Sequence, residues 1–209
     1  MADESGSMSP YIGELNSGLT LLLGALQVES FAAAKVRFAI IGFADDARTY
    51  LPPTDLRSLA GLPVLQARGL TSYQAAFDQL GYRLSIDVPD LKAQGYMVNR
   101  PAAFFLSDGA PNGDEDWQSA RNYLLSQPYR PNILAFGIGQ ADPGVILNVA
   151  TDKQYAFMSD RGVETGTALT EFIKSLTQSV ISSGQAIASG TSSLQMERPA
   201  GFSLAVDLV

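Results

Sequence analysis

Neither cysteine nor histidine occurs among the 209 residues. The first absence excludes disulfides, thiolate metal sites and cysteine nucleophiles. The second removes the commonest general base and the commonest transition-metal ligand. Any metal must therefore be held by oxygen, which selects hard cations such as Mg²⁺, Mn²⁺ or Ca²⁺. Basic side chains are scarce as well. Fourteen Lys and Arg stand against 21 Asp and Glu, a net charge of -7, with no basic patch to suit nucleic acid. Long hydrophobic runs are missing: the stretch around "LTLLLGAL" (19–26) falls far short of the ~18 residues of a membrane span. No basic segment followed by an apolar one opens the chain. The expectation is a soluble, cytoplasmic protein with neither a nucleic-acid nor a membrane partner. With 46% hydrophobic residues, the chain can build a core of one domain, with or without an appendage.

The order of elements follows from periodicity. Ser9-Pro10 reads as a helix start, and Ile12, Leu15, Leu19, Leu22, Leu23 and Leu26 recur at steps of three and four. "KVRFAIIGF" (35–43) is a β-rich run, and "RTYLP" after "ADDA" predicts a strand turning back beside it. Residues 72–85 predict a second helix and 100–109 a nearly continuous apolar strand. A helix at 116–127, a strand at 132–139, a short helix at 143–150, a strand at 154–158 and a long helix at 166–183 follow. Apolar strands alternating with helices indicate a doubly wound, mostly parallel α/β sheet covered on both faces. Ligands of such sheets bind beyond the carboxyl ends of the strands. Asp45, Asp46, Asp108 and Asp142 all follow predicted strand ends, an acidic rim better suited to a cation than to a phosphate. "SSGQAIASGTSS" reads as a polar linker, and "FSLAVDLV" (202–209) as a terminal strand with Phe202, Leu204, Val206 and Leu208 on one face. The domain is thus expected over 1–183, and the linker and terminal strand over 184–209.

Three stretches carry the chemistry: Asp3-Glu4-Ser5-Gly6-Ser7, Thr71 in "GLTSYQAAFD", and Asp108 in "FFLSDGAPN". Ser5 and Ser7 are two apart, so an extended loop can point both hydroxyls the same way. Each stretch also has an ordinary reading. Thr71 with Gln74 makes a capping box, Asp108-Gly109 suits a strand-end turn, and the first ten residues suit a flexible leader. Asp114, Glu115 and Asp116 read as the solvated, acidic start of a helix. Tyr73 and Trp117 read as packing residues, or as a rim around the site. Enzymatic machinery is hard to find: there is no G-x-S-x-G elbow, no histidine base and no P-loop.

In order and spacing, the three stretches resemble the von Willebrand factor A family with its metal-ion-dependent adhesion site. That family carries D-x-S-x-S in the first strand–helix loop, a threonine in a second loop and an aspartate closing a later strand. Here Leu70 replaces one glycine of the usual threonine loop. The resemblance covers roughly 1–183 and implies a Rossmann-like fold. It implies Ser5 and Ser7 as direct ligands of Mg²⁺ (or Mn²⁺ or Ca²⁺), with Asp3, Thr71 and Asp108 bound directly or through water. It further implies a non-catalytic module whose ion accepts a carboxylate from a partner protein. The acidic, cysteine-free character is more similar to the bacterial cytosolic branch associated with tellurium resistance, whose members serve as adaptors in stress-response assemblies. Two other readings stand beside it: a Mg²⁺-dependent phosphotransferase or hydrolase using Asp3, and a degenerate structural subunit without metal.

One departure stands out. In the family an apolar central strand leads into the first aspartate, whereas only Met1 and Ala2 precede Asp3. A vacant middle slot would leave two strands with unpaired backbone groups, at about 1–3 kcal/mol each when buried. The first central strand is therefore expected to be missing or replaced. It would lie upstream of Met1, or be supplied by 202–209 from the same chain or, by strand exchange, from a second copy in a homo-oligomer.

Overall fold

The computed structural model describes residues 1–191 and 193–209. Seven strands and six α-helices follow one another as β1 (Ala2–Asp3), α1 (Ile12–Val28), α2 (Ser30–Ala33), β2 (Phe38–Phe43), β3 (Ala47–Thr54), α3 (Tyr73–Ala93), β4 (Ala102–Ser107), α4 (Trp117–Ser126), β5 (Asn132–Gly137), α5 (Pro143–Val149), β6 (Ala156–Ser159), α6 (Thr165–Ala188) and β7 (Phe202–Leu204). One sheet holds every strand in the order β3-β2-β1-β4-β5-β6-β7. Its interior pairs are parallel, and β3 and β7 close the two edges antiparallel. This is the expected doubly wound, mostly parallel α/β architecture.

Helix faces were set by the three-and-four spacing. Leu15, Leu19, Leu22 and Leu26 of α1 join Leu169, Phe172, Ile173 and Leu176 of α6 over one face of the sheet. Phe77 and Leu80 of α3, Leu124 of α4, and Ile146 and Val149 of α5 cover the other. Strands buried on both faces cannot alternate polar and apolar residues, which is why β4 and β5 read as unbroken apolar runs.

Several boundaries differ from expectation. Ser9-Pro10 lies in a turn before α1, and no side chain caps that helix. Helix α3 runs to Ala93, beyond the expected 85, and through Pro89; Val88 is buried beside it and holds the second half against the body of the protein. Helix α6 continues to Ala188 and absorbs the start of the segment read as a linker. The glycine there is a packing contact: a Cβ at Gly184 would lie 2.6 Å from the Ala32 carbonyl oxygen. Ser192, in the same segment, lies outside the described residues.

The middle of the sheet departs most from expectation. Ala2 pairs with Gly42 and Leu106, and Asp3 with Phe43, so the chain start itself fills the upper end of the slot between β2 and β4. The Met1 amine takes a ladder position and donates to the Phe104 carbonyl at 2.7 Å. Burial pushes that amine down to about 5. Below it the slot stays open as a cavity of about 790 Å³, lined by Ala39, Ala102, Phe104, Leu84 and Leu176 among others. Residues 202–209 do not enter it. Phe202–Leu204 pairs antiparallel with Phe157–Ser159 at the outer edge, and a 3-10 turn follows at Ala205–Asp207. An edge leaves Asp207 able to reach water, which a strand buried on both faces would deny it.

Candidate functional site

Because the interior strands are parallel, their carboxyl ends gather on one side, and three loops meet there. Asp3 ends β1 and is fully buried. Its Oδ1 accepts from the Ser5 N–H at 2.8 Å, and its Oδ2 from the Ser107 hydroxyl at 2.5 Å. Ser5 immediately precedes a tight 3-10 turn at Gly6–Met8, and Ser7 lies within it. Their hydroxyls lie 3.0 Å apart, and Ser7 Oγ donates to Asp108 Oδ1 at 2.8 Å. The first and third stretches, 101 positions apart, are therefore in direct contact. The leader reading of the first ten residues is corrected: Asp3, Glu4, Ser5 and Met8 are all buried.

Thr71 belongs to the same cluster of loops. Its N–H donates to Asn112 Oδ1 at 3.2 Å, and its carbonyl accepts from the Asn112 N–H at 2.9 Å. Asn112 stands four residues after Asp108, so this reciprocal pair fastens the second loop to the third. On the other side the Ser72 N–H donates to the Ala44 carbonyl at 2.8 Å and the Leu70 N–H to Asp45 Oδ1 at 2.9 Å. The capping-box reading of Thr71 fails, because Ser72 is the N-cap of α3 and accepts from the Ala75 N–H at 3.0 Å. Thr71 is 8% exposed, and its hydroxyl makes no hydrogen bond among the described residues. A backbone tied on both sides with an unengaged hydroxyl is what a ligand position requires.

Electrostatically the centre is short of positive charge. Burial raises the Asp3 carboxyl to about 6, the neighbouring Asp108 adds to this, and the Ser107 and Ser5 hydrogen bonds oppose it. Burial likewise holds Asp108 above the usual carboxylate range, against the Ser7 hydrogen bond. Among the described residues no three acidic side chains gather in metal-holding geometry. The constellation is instead two carboxylates and serine and threonine hydroxyls. In an octahedral site with bonds of about 2.1 Å, neighbouring oxygens lie about 3 Å apart. The Ser5–Ser7 and Ser7–Asp108 separations of 3.0 and 2.8 Å match that edge. The donor set fits a hard divalent cation.

The rest of the acidic rim is spent on structure. Asp45 holds the Thr71 loop, Asp46 pairs with Arg48 and Arg68, and Asp142 caps α5 through the Val145 N–H at 2.9 Å. Glu115 corrects the solvated-helix reading: it accepts from the Ser72 hydroxyl at 2.6 Å and from the Tyr73 N–H at 2.7 Å, bridging α3 to the third loop. Asp116 does cap α4, through the Ser119 N–H at 3.1 Å. Tyr73 and Trp117 are buried in a cluster with Phe77 and Phe105 rather than set on a rim. Sequence reasoning passed over Ser107, Asn112, Glu4 and Arg68. Glu4 left a trace as the second charged residue of the motif, between Asp3 and Ser5, and Ser107 and Asn112 stood inside the stretch around Asp108.

The sequence matches no family model, and it matches no curated protein. Solved structures do match. Proximal thread matrix protein 1 from the mussel byssus superposes with a TM-score of 0.60 at 16% identity, over 85% of this chain and 45% of that one. The pilus adhesin SpaC from Lactobacillus rhamnosus GG, in an open conformation, gives 0.67 at 13% identity, over 86% of this chain and 29% of that one. A von Willebrand factor type A protein from Catenulispora acidiphila gives 0.55 at 15%, over 86% and 41%. The fold is that of a von Willebrand factor A domain. The chain spans less than half the length of each of these proteins. One structure of the mussel protein, at a TM-score of 0.59, has a zinc-occupied MIDAS motif. No helix among the described residues of this von Willebrand A fold is long and apolar enough to cross a membrane.

Proposed function

We propose that Asp3, Ser5, Ser7, Thr71 and Asp108 bind a divalent cation and that the domain is a non-catalytic protein-interaction module. The observation that carries this reading is the continuous chain of oxygens Ser5–Ser7–Asp108, at 3.0 and 2.8 Å, with the loop of Thr71 fastened by its backbone to both the first loop and the third. The zinc-occupied MIDAS of the mussel protein supports a metal at the corresponding place in the fold. In this chain the all-oxygen donor set favours Mg²⁺, with Mn²⁺ or Ca²⁺ as substitutes. The five residues supply five of the six oxygens of an octahedral shell, so a carboxylate from a partner protein completes it. The partner belongs to a cytoplasmic, bacterial stress-response assembly of the tellurium-resistance kind, in which the domain serves as an adaptor.

The phosphotransferase alternative is disfavoured by the position of Asp3. A nucleophilic carboxylate must meet its substrate, but this one is fully buried with both oxygens engaged by Ser5 and Ser107. The metal-free alternative is separated by titration. Calorimetry with Mn²⁺ should give one site in the wild-type chain and none in Ser5→Ala or Asp108→Ala. Capture of a protein partner should be lost in EDTA. Equal heats in all three chains would overturn the assignment.

A further inference from the structure

The first and second loops are fastened together by side chains that reach no ligand position. Glu4 lies between Asp3 and Ser5 and is fully buried. Glycine 42 of the adjacent strand makes the space, since a Cβ there would lie 2.4 Å from the Glu4 carboxyl. Glu4 Oε1 accepts from the Gln66 N–H at 3.2 Å, and Oε2 from Arg68 Nε at 3.3 Å, with Arg68 Nη2 at 3.2 Å. The backbones follow the same line: the Arg68 N–H donates to the Glu4 carbonyl, and the Gly6 N–H to the Gly69 carbonyl at 3.0 Å. Arg68 also reaches Asp46 on the β2–β3 turn, the turn whose Asp45 holds Leu70. Gly69 adopts φ +55°, and a Cβ there would collide with the Asp45 carboxyl. The chain from 66 to 70 is thus held between two loops, and Thr71 follows it directly.

We propose that Glu4 and Arg68 are positioning residues that set the cation affinity of the site by fixing the Thr71 loop against the Ser5–Ser7 loop. This inference rests on the metal-binding reading given above. A cation needs its oxygens at defined separations, and a loop free to drift by an ångström no longer presents Thr71 together with Ser5 and Ser7. Arginine suits the task because its planar fork reaches Glu4 and Asp46 at once, which a lysine ammonium cannot do in the same geometry. Partners behind the ligands of a metal typically govern 10–100-fold of its affinity.

The test measures Mn²⁺ dissociation constants by calorimetry for the wild type, Glu4→Gln, Arg68→Ala, Arg68→Lys and Arg48→Ala, with Asp108→Ala as the site control. Alongside, amide exchange over 69–73 is followed in EDTA. Glu4→Gln keeps the volume above Gly42 and an oxygen for the Gln66 N–H, but turns an amide N–H towards the Arg68 donors, so it removes the ion pair together with its hydrogen bond. Expected are Mn²⁺ affinities weakened about 10–100-fold in Glu4→Gln and Arg68→Ala, partial recovery in Arg68→Lys, and no change in Arg48→Ala. Exchange over 69–73 should quicken in Arg68→Ala without any metal present, and this readout stands even if Glu4→Gln fails to fold. A lower melting temperature with Mn²⁺ affinity within twofold of wild type would reduce the pair to scaffolding and overturn the proposal, as would unchanged exchange. Wild-type chain that takes up no Mn²⁺ overturns the metal-binding reading and this inference together, whereas wild-type binding lost only in Asp108→Ala overturns this inference alone.

Discussion

Replacing Asp3 by asparagine should make the metal-free protein more stable at neutral pH and abolish its response to cation. The Asp3 carboxyl is fully buried and sits at about 6 rather than 3.8, with burial as the main cause. A folded-state value above the unfolded one means that the folded protein holds its proton more tightly. The resulting stability is complete below pH ~4 and is lost as pH rises through ~6. The gap between about 6 and 3.8 amounts to about 3 kcal/mol at 1.36 kcal/mol per pH unit, an upper bound on the cost of ionising Asp3 in the folded chain. Asparagine fits without that cost: its oxygen can accept from the Ser5 N–H, and its amide can donate to the Ser107 hydroxyl, which can in turn donate to the Gly109 carbonyl at 3.3 Å.

Calorimetric melting in EDTA from pH 4.5 to 8 reads this directly. At about 2–4 °C per kcal/mol for a chain of this size, Asp3→Asn should melt above wild type at pH 7.5 by at most about 6–12 °C, and the gap should shrink towards pH 4.5. Mg²⁺ should reverse the order. A cation present at 1,000 times its dissociation constant stabilises the wild type by about 4.1 kcal/mol, and the variant not at all. If Asp3→Asn melts below wild type in EDTA at every pH, the carboxylate is a net structural asset and the electrostatic reasoning fails.

Periodicity predicted nearly every element because strands buried on both faces leave long apolar runs and the helices bury Leu at steps of three and four. The doubly wound sheet was readable for that reason. The ends were less so. Gly184 resembled the opening of a linker until its contact with the Ala32 carbonyl placed it inside α6, and Pro89 concealed the second half of α3. The tail exposes a limit of local patterning: "FSLAVDLV" carries a strand pattern, but only the neighbouring strand decides whether it fills a slot or an edge. At the candidate site the motif spacing singled out Asp3, Ser5, Ser7, Thr71 and Asp108, and the fold brings their three loops together. The residues that hold them there were hidden. Ser107, Asn112, Glu115 and Arg68 act through contacts with loops 22 to 104 positions away, which no local window contains. The choice between Thr71 and Ser72 as the cap could not be made from sequence either, since both hydroxyls precede α3.

Four further substitutions separate core, site and cap. Phe105 is fully buried, stacked at 4.9 Å on Phe43 and at 5.6 Å on Phe77, so Phe105→Ala should lose about 3–5 kcal/mol in denaturant unfolding. Ser7→Ala removes the hydroxyl shared by Ser5 and Asp108; it should leave far-UV circular dichroism unchanged and eliminate the Mn²⁺-induced rise in melting temperature. Thr71 and Ser72 make a crossed pair. Thr71→Val keeps shape and backbone bonds, and the lost hydroxyl has no partner among the described residues, so melting in EDTA should stay within about 1 kcal/mol of wild type while Mn²⁺ affinity falls. Ser72→Ala removes the N-cap of α3 and the bond to Glu115, and should cost about 1 kcal/mol or more of stability while the folded chain still takes up Mn²⁺. Adjacent residues would then fail in opposite assays. The reverse pattern, with Thr71→Val unfolding early and Ser72→Ala losing the ion, would mean that the threonine is the structural residue and the cation site is drawn around the wrong hydroxyl.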